Sequence, residues 1–135
     1  MSTITIALIE DDEVLAKVLS TELADEGFKV VQAFDGEAGL ELVASRRPDL
    51  VLLDLILPKK HGFEVLEALN KSPDTKNIPV IILTLLGEAE DVKKGLRLGA
   101  DDYLVKSDHA IGEIVEKVKN FFAKEHRPRG AEPKK

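Results

Sequence analysis

Leu50-Val51-Leu52-Leu53 is an unbroken apolar run that ends in a carboxylate, Asp54. The run is too short for an ordinary helix and lacks the alternation of a half-buried strand, so it reads as a strand covered on both faces. Strands of that kind belong to parallel sheets flanked by helices. Pro48 and Asp49 mark the entry, which places Asp54 where the strand stops. In open parallel sheets ligands bind at that carboxyl edge, because the loops diverge there into a crevice.

The rest of the chain repeats the pattern. Ile4, Ile6, Ala7, Leu8 and Ile9 form a second buried run, which stops at Glu10-Asp11-Asp12. Val14, Leu15, Val18, Leu19 and Leu23 recur at helical spacing, with Gly27 as terminator and Asp12 read as the N-cap. Phe28 to Ala33 is strand-like, and Asp35 can cap a helix that must end before Pro48. Leu55 to Gly62 is predicted as a loop, Phe63 to Leu69 as a short helix and Asn70 to Asn77 as a polar connection. Pro79 to Leu83 is a fourth strand with Thr84 at its end. Glu88 to Leu98 suits a helix closed by Gly99, and Asp101 to Val105 a fifth strand ending at Lys106. Ile111, Ile114, Val115, Val118, Phe121 and Phe122 give the last helix an apolar stripe. Strands alternating with helices imply an α/β fold, a doubly wound five-stranded parallel sheet with helices on both faces.

Composition limits the function. A single domain is expected over 1–124, since 135 residues with 44% hydrophobic content suffice for one sizeable core. Residues 125–135, with Pro128, Gly130 and Pro133 and no apolar periodicity, are predicted to be a disordered tail. The chain has no cysteine, which removes disulfides, thiolate metal sites and cysteine nucleophiles and suits a reducing cytoplasm. No apolar run approaches the ~20 residues that span a bilayer, so a soluble, cytoplasmic protein is expected. A formal net charge of -6 argues against a nucleic-acid partner, which needs a clustered basic face.

At the predicted strand ends stand Glu10 and Asp11, then Asp54, Thr84 and Lys106. Three carboxylates brought together repel one another unless a cation joins them. A hard ion such as Mg²⁺ takes oxygen ligands and is commonly held by a few carboxylates and a phosphate. Carboxylates with a lysine and a hydroxyl therefore suit phosphoryl chemistry, with Asp54 as nucleophile. Lys59-Lys60-His61 reads as a solvated loop, and the three histidines lack metal-ligand spacing. No glycine-lysine phosphate loop is present.

These positions, in this order, resemble the receiver domain of two-component response regulators, including its CheY-like single-domain type. The resemblance runs from Thr3 to about Lys124 and rests on Glu10-Asp11, Asp54-Leu55-Ile56-Leu57-Pro58 followed by Gly62, Thr84, Gly99-Ala100-Asp101-Asp102-Tyr103 and Lys106. It implies a flavodoxin-like (βα)5 sandwich. It further implies that Asp54 accepts a phosphoryl group from a sensor histidine kinase or histidine phosphotransfer protein. Mg²⁺ would be bound by Glu10, Asp11, Asp54 and the backbone carbonyl of Ile56. Thr84 would move to bond the phosphoryl oxygen, and Tyr103 would swing inward, remodelling the surface of the fourth helix, fifth strand and fifth helix. Such a protein catalyses its own aspartyl phosphorylation and dephosphorylation and is not a turnover enzyme. Homodimerisation through the fourth and fifth helices stays open, as does the choice between a stand-alone receiver and part of a longer regulator.

Three positions depart from the family pattern. Leu85 follows Thr84 where a small residue is usual, and Ser107 follows Lys106 where a proline in a cis bond is usual. A cis bond before a non-proline costs ~2.5–4 kcal/mol, so a trans bond and a strained cis bond both stay open at Ser107. Ile56 is apolar where many relatives carry a polar or bulky side chain. Leu85 and Ile56 offer an attacking water no hydrogen-bond partner, from which slow phosphoryl exchange and a long-lived phosphoryl-aspartate are expected. No DNA-binding or catalytic output module is visible, so output is expected through protein contacts. The alternatives are a degenerate module that binds partners without phosphorylation and, from another class, a Mg²⁺-dependent phosphohydrolase. The latter would want a second acid for the leaving group.

Overall fold

All four residues of the run at 50–53 are fully buried and form the middle strand of the sheet. A computed structural model describes residues 3–124, and the tail at 125–135 lies outside the described residues. In chain order the elements are β1 (Thr5–Ile9), α1 (Glu13–Asp25), β2 (Lys29–Ala33), α2 (Gly36–Arg46), β3 (Leu50–Leu53), α3 (Gly62–Lys71), β4 (Val80–Thr84), α4 (Ala89–Arg97), β5 (Asp102–Val105) and α5 (Ile111–Lys124), with a 3-10 turn at Lys106–Asp108 between the last two. The five strands are parallel in the order β2-β1-β3-β4-β5. This is the flavodoxin-like doubly wound arrangement, whose order reverses between β1 and β3 and so opens a crevice at their carboxyl ends.

Side chains alternate across each strand, so each strand feeds two cores. Ile6, Leu8, Leu50, Leu52, Ile81, Leu83 and Leu104 pack with Leu19 and Leu23 of α1 and Ile114 and Val118 of α5. Ala7, Ile9, Val51, Leu53, Val80 and Ile82 pack on the other face with Val43 of α2 and Val65, Leu66 and Leu69 of α3. In-register pairs such as Ile9 with Leu53 hold β1 and β3 level. Their next residues, Glu10 and Asp54, therefore emerge side by side.

The helix ends follow their local chemistry. Asp12 Oδ1 accepts from the N–H groups of Val14 and Leu15, both at 3.1 Å, and so caps α1 as expected. Gly27 and Gly99 adopt φ of 96° and 110° in the turns after α1 and α4, a region costly for other residues. Both ends of α3 differ from the sequence reading, and β2, β4, α4 and β5 each begin one residue later than read. Gly62 and Asn70, placed in connections, lie inside α3. His61 supplies the reason at the first end: its Nδ1 accepts from the Phe63 N–H at 3.0 Å, while Glu64 accepts from the His61 N–H at 3.2 Å. The loop at Lys59-Lys60-His61 is thus ended by a capping box built on an imidazole.

Candidate functional site

The sheet delivers its charged groups to one edge. The strand ladder continues one residue beyond β1 and β3, since Glu10 N–H donates to Ala33 O and Asp54 N–H to Ile9 O, each at 3.0 Å. Both side chains are consequently held by rigid backbone. Glu10 and Asp54 are almost fully buried and Asp11 is exposed. One oxygen from each of the three carboxylates lies within 4.8 Å of the others. An all-oxygen set at that spacing fits a hard divalent cation, and Glu10, Asp11 and Asp54 are the residues that would hold it.

Lys106 enters from the far side. β5 is two strands away from β3, so its side chain must cross the end of β4 to reach the acids. Its Nζ lies 2.8 Å from Glu10 Oε1 and 2.9 Å from Asp54 Oδ2. The Lys106–Ser107 peptide is trans, and the 3-10 turn at Lys106–Asp108 makes the bend that follows. The second oxygens of Glu10 and Asp54 are engaged too. Glu10 Oε2 accepts from the Asp12 N–H at 3.0 Å and Asp54 Oδ1 from the Ile56 N–H at 3.2 Å.

Electrostatics follow from this crowding. Burial pushes the Glu10 carboxyl above its ordinary value, and the Asp54 charge adds to the rise; the bonds from Lys106 and the Asp12 N–H offset it in part. Burial pulls the Lys106 ammonium down, yet its bonds to Glu10 and Asp54 outweigh that and raise it overall. Lys106 is therefore a permanent cation shared by two carboxylates.

Thr84, fully buried at the end of β4, accepts a bond at Oγ1 from the Leu86 N–H at 3.4 Å. The Tyr103 hydroxyl donates to the Leu86 carbonyl at 2.5 Å. One residue of the β4–α4 loop thus links the two residues expected to form the switch, a link the sequence could not show because it runs through backbone. Burial, with the charges of Asp91 and Asp54, pushes the Tyr103 phenol up to about 12. The ring already rests half-buried beside α4. Ile56 and Leu85 stand at the rim, 49% and 63% exposed.

The sheet order and the three-carboxylate cluster at its edge are those of the receiver class. Residues 6–119 match the response regulator receiver domain, and the chain belongs to that family. It is 38% identical over 122 residues to the DNA-binding dual master transcriptional regulator RpaA of Synechocystis, covering 90% of this chain and 50% of RpaA. The chain thus spans about half the length of the curated relatives it matches. Among solved structures, the receiver domain of Francisella response regulator 1452 is 31% identical with a TM-score of 0.82, covering 93% of this chain and 100% of that one. The BeF3-activated N-terminal receiver domain of Klebsiella pneumoniae RstA is 28% identical with a TM-score of 0.78, covering 86% of this chain and 96% of that one. Among the described residues, no helix is long and apolar enough to cross a membrane.

Proposed function

We propose that this protein accepts a phosphoryl group on Asp54 from the phosphohistidine of a sensor kinase or phosphotransfer protein, and signals through its α4–β5–α5 surface. The observation that carries the reading is the Lys106 ammonium shared between Asp54 and Glu10 within a three-carboxylate cluster. In the transfer, an Asp54 carboxylate oxygen forms a bond to phosphorus as the donor's P–N bond breaks. Lys106 neutralises charge on the transferred group's oxygens. Mg²⁺, held by Glu10, Asp11, Asp54 and the Ile56 carbonyl, would supply further charge neutralisation. Phosphorylated Asp54 offers new acceptor oxygens to the Thr84 hydroxyl. Thr84 would then release the Leu86 N–H, and the shift would reach Tyr103 through the Leu86 carbonyl. A protein partner that binds the altered surface better shifts the population by its differential affinity.

Beryllofluoride is a stable stand-in for a phosphoryl group, and the RstA relative was captured with it. With Mg²⁺ present, beryllofluoride is expected to move the amide NMR signals of Thr84, Leu86 and Tyr103 in the wild type and to leave an Asp54→Ala variant unchanged. Unmoved signals in both proteins would overturn the reading in favour of a phosphorylation-independent binding module. Rapid turnover of p-nitrophenyl phosphate would overturn it in favour of a phosphohydrolase.

A further inference from the structure

α4 is fastened to the rest of the molecule by few groups. Glu88 provides no side-chain cap, and Gly95 is the helix's only buried residue. The outer links are to α3, where Lys94 Nζ sits 4.8 Å from the centre of the Phe63 ring and the Asn70 amide donates to the Leu98 carbonyl. Between these two links lies Gly95. A glycine inside a helix lowers its stability relative to alanine, so its presence at the one buried position calls for a reason. A methyl group placed there would lie 2.7 Å from Ile82 Cδ1 and 3.0 and 3.1 Å from Tyr103 Cδ2 and Cε2. Ile82 Cδ1 is the terminal atom of a fully buried side chain, which must shift to admit the methyl group. The Tyr103 ring has less freedom, because its hydroxyl is bonded to the Leu86 carbonyl.

We propose that Gly95 is a positioning residue for Tyr103: its missing side chain leaves the recess between α4 and β5 in which the ring rests. The recess holds the α4–β5 face in its ring-in arrangement. Any side chain at 95 shifts the balance toward the ring-out arrangement, and with it the surface that a partner meets. This inference rests on the proposed switch role of Tyr103, while the seating of the ring can be read without any phosphodonor.

Tyr103 is the only tyrosine and the chain has no tryptophan, so its ionisation can be followed by absorbance without interference. A rapid pH jump reads it before alkaline unfolding. The wild-type midpoint is expected near the raised value of about 12. In Gly95→Ala it falls, and in Gly95→Leu, which keeps a strong helix former, it falls to about 10, the value of an open tyrosine. Stability provides the second readout. In a Tyr103→Ala background, Gly95→Ala should raise the folding equilibrium constant on the order of fivefold through helix propensity. With the ring present, that gain is lost. A midpoint unchanged in both variants, together with the same alanine gain in both backgrounds, would overturn the proposal. A displaced ring upholds the seat even where beryllofluoride leaves the wild type unmoved, a result that removes the phosphoryl-acceptor reading alone.

Discussion

Lys106→Met is expected to destabilise the metal-free protein by about 3 kcal/mol or more, the usual cost of removing one partner from a buried ion pair. Lys106 is 14% exposed, and its two partners, Glu10 and Asp54, are 2% and 5% exposed. Without the ammonium, two buried carboxylates face each other uncompensated. Mg²⁺, if held by these carboxylates as proposed, should restore much of the loss by replacing the missing positive charge, and saturation at a hundred times Kd contributes ~2.7 kcal/mol. For the same reason the variant should bind Mg²⁺ more tightly than the wild type. The pH dependence has a definite sign. The folded-state value of Glu10 lies above its ordinary 4.5, so its protonated form favours folding. That contribution is fully present below the ordinary value and is lost as pH rises through the folded value. Removing Lys106 takes away a bond that lowers Glu10, so the loss in the variant should be largest at neutral pH and shrink on acidification. Urea unfolding with and without Mg²⁺ measures all of this. Equal stability of the two metal-free proteins would reduce Lys106 to a surface charge.

Gly62→Ala is the second substitution with a large expected effect, and two influences oppose each other there. Alanine favours a helix over glycine by up to ~1 kcal/mol. Against this, a methyl group on Gly62 would lie 2.5 Å from the Asp54 carbonyl oxygen and 2.8 Å from Leu55 Cδ2, and it would meet the Leu55 Cα as well. Two of these three obstacles are backbone, and Gly62 N–H is also bonded to Leu55 O at 2.8 Å. The β3–α3 loop cannot open without moving Asp54. Sterics should win, with a net loss of about 2–3 kcal/mol and a marked fall in phosphoryl acceptance as Asp54 leaves its geometry. Gly112→Ala in α5 is the internal comparison, because nothing lies within 4 Å of a methyl group placed there. It should stabilise by about 0.5–1 kcal/mol. A stabilised Gly62→Ala would mean that α3 does not clamp the Asp54–Leu55 peptide.

The parts of this molecule that follow from side-chain pattern were legible in the sequence. The apolar runs mark the strands, and the polar residues that end them mark the site edge, where Glu10, Asp11, Asp54 and Lys106 converge. What stayed hidden depends on the group opposite. Gly62 and Gly95 read as ordinary glycines until the Asp54–Leu55 backbone and the Tyr103 ring are seen against them. The bond from Tyr103 to the Leu86 carbonyl carries no side-chain signature at position 86. His61 gives little cap signal of its own, since imidazole is an uncommon cap, and Glu64 three residues on is the signal the sequence offers. The polar stretch after α3 concealed Thr75, which is buried with its hydroxyl donating to the Leu69 carbonyl at 2.7 Å.

The most direct measurement is the mass of the intact protein after incubation with acetyl phosphate and Mg²⁺, followed by mapping of any adduct to its peptide. One phosphoryl group on the peptide that carries Asp54, absent without Mg²⁺ and absent in Asp54→Ala, is the predicted result. An unmodified wild-type protein, or an adduct that survives in Asp54→Ala, would contradict the assignment of Asp54 as the acceptor.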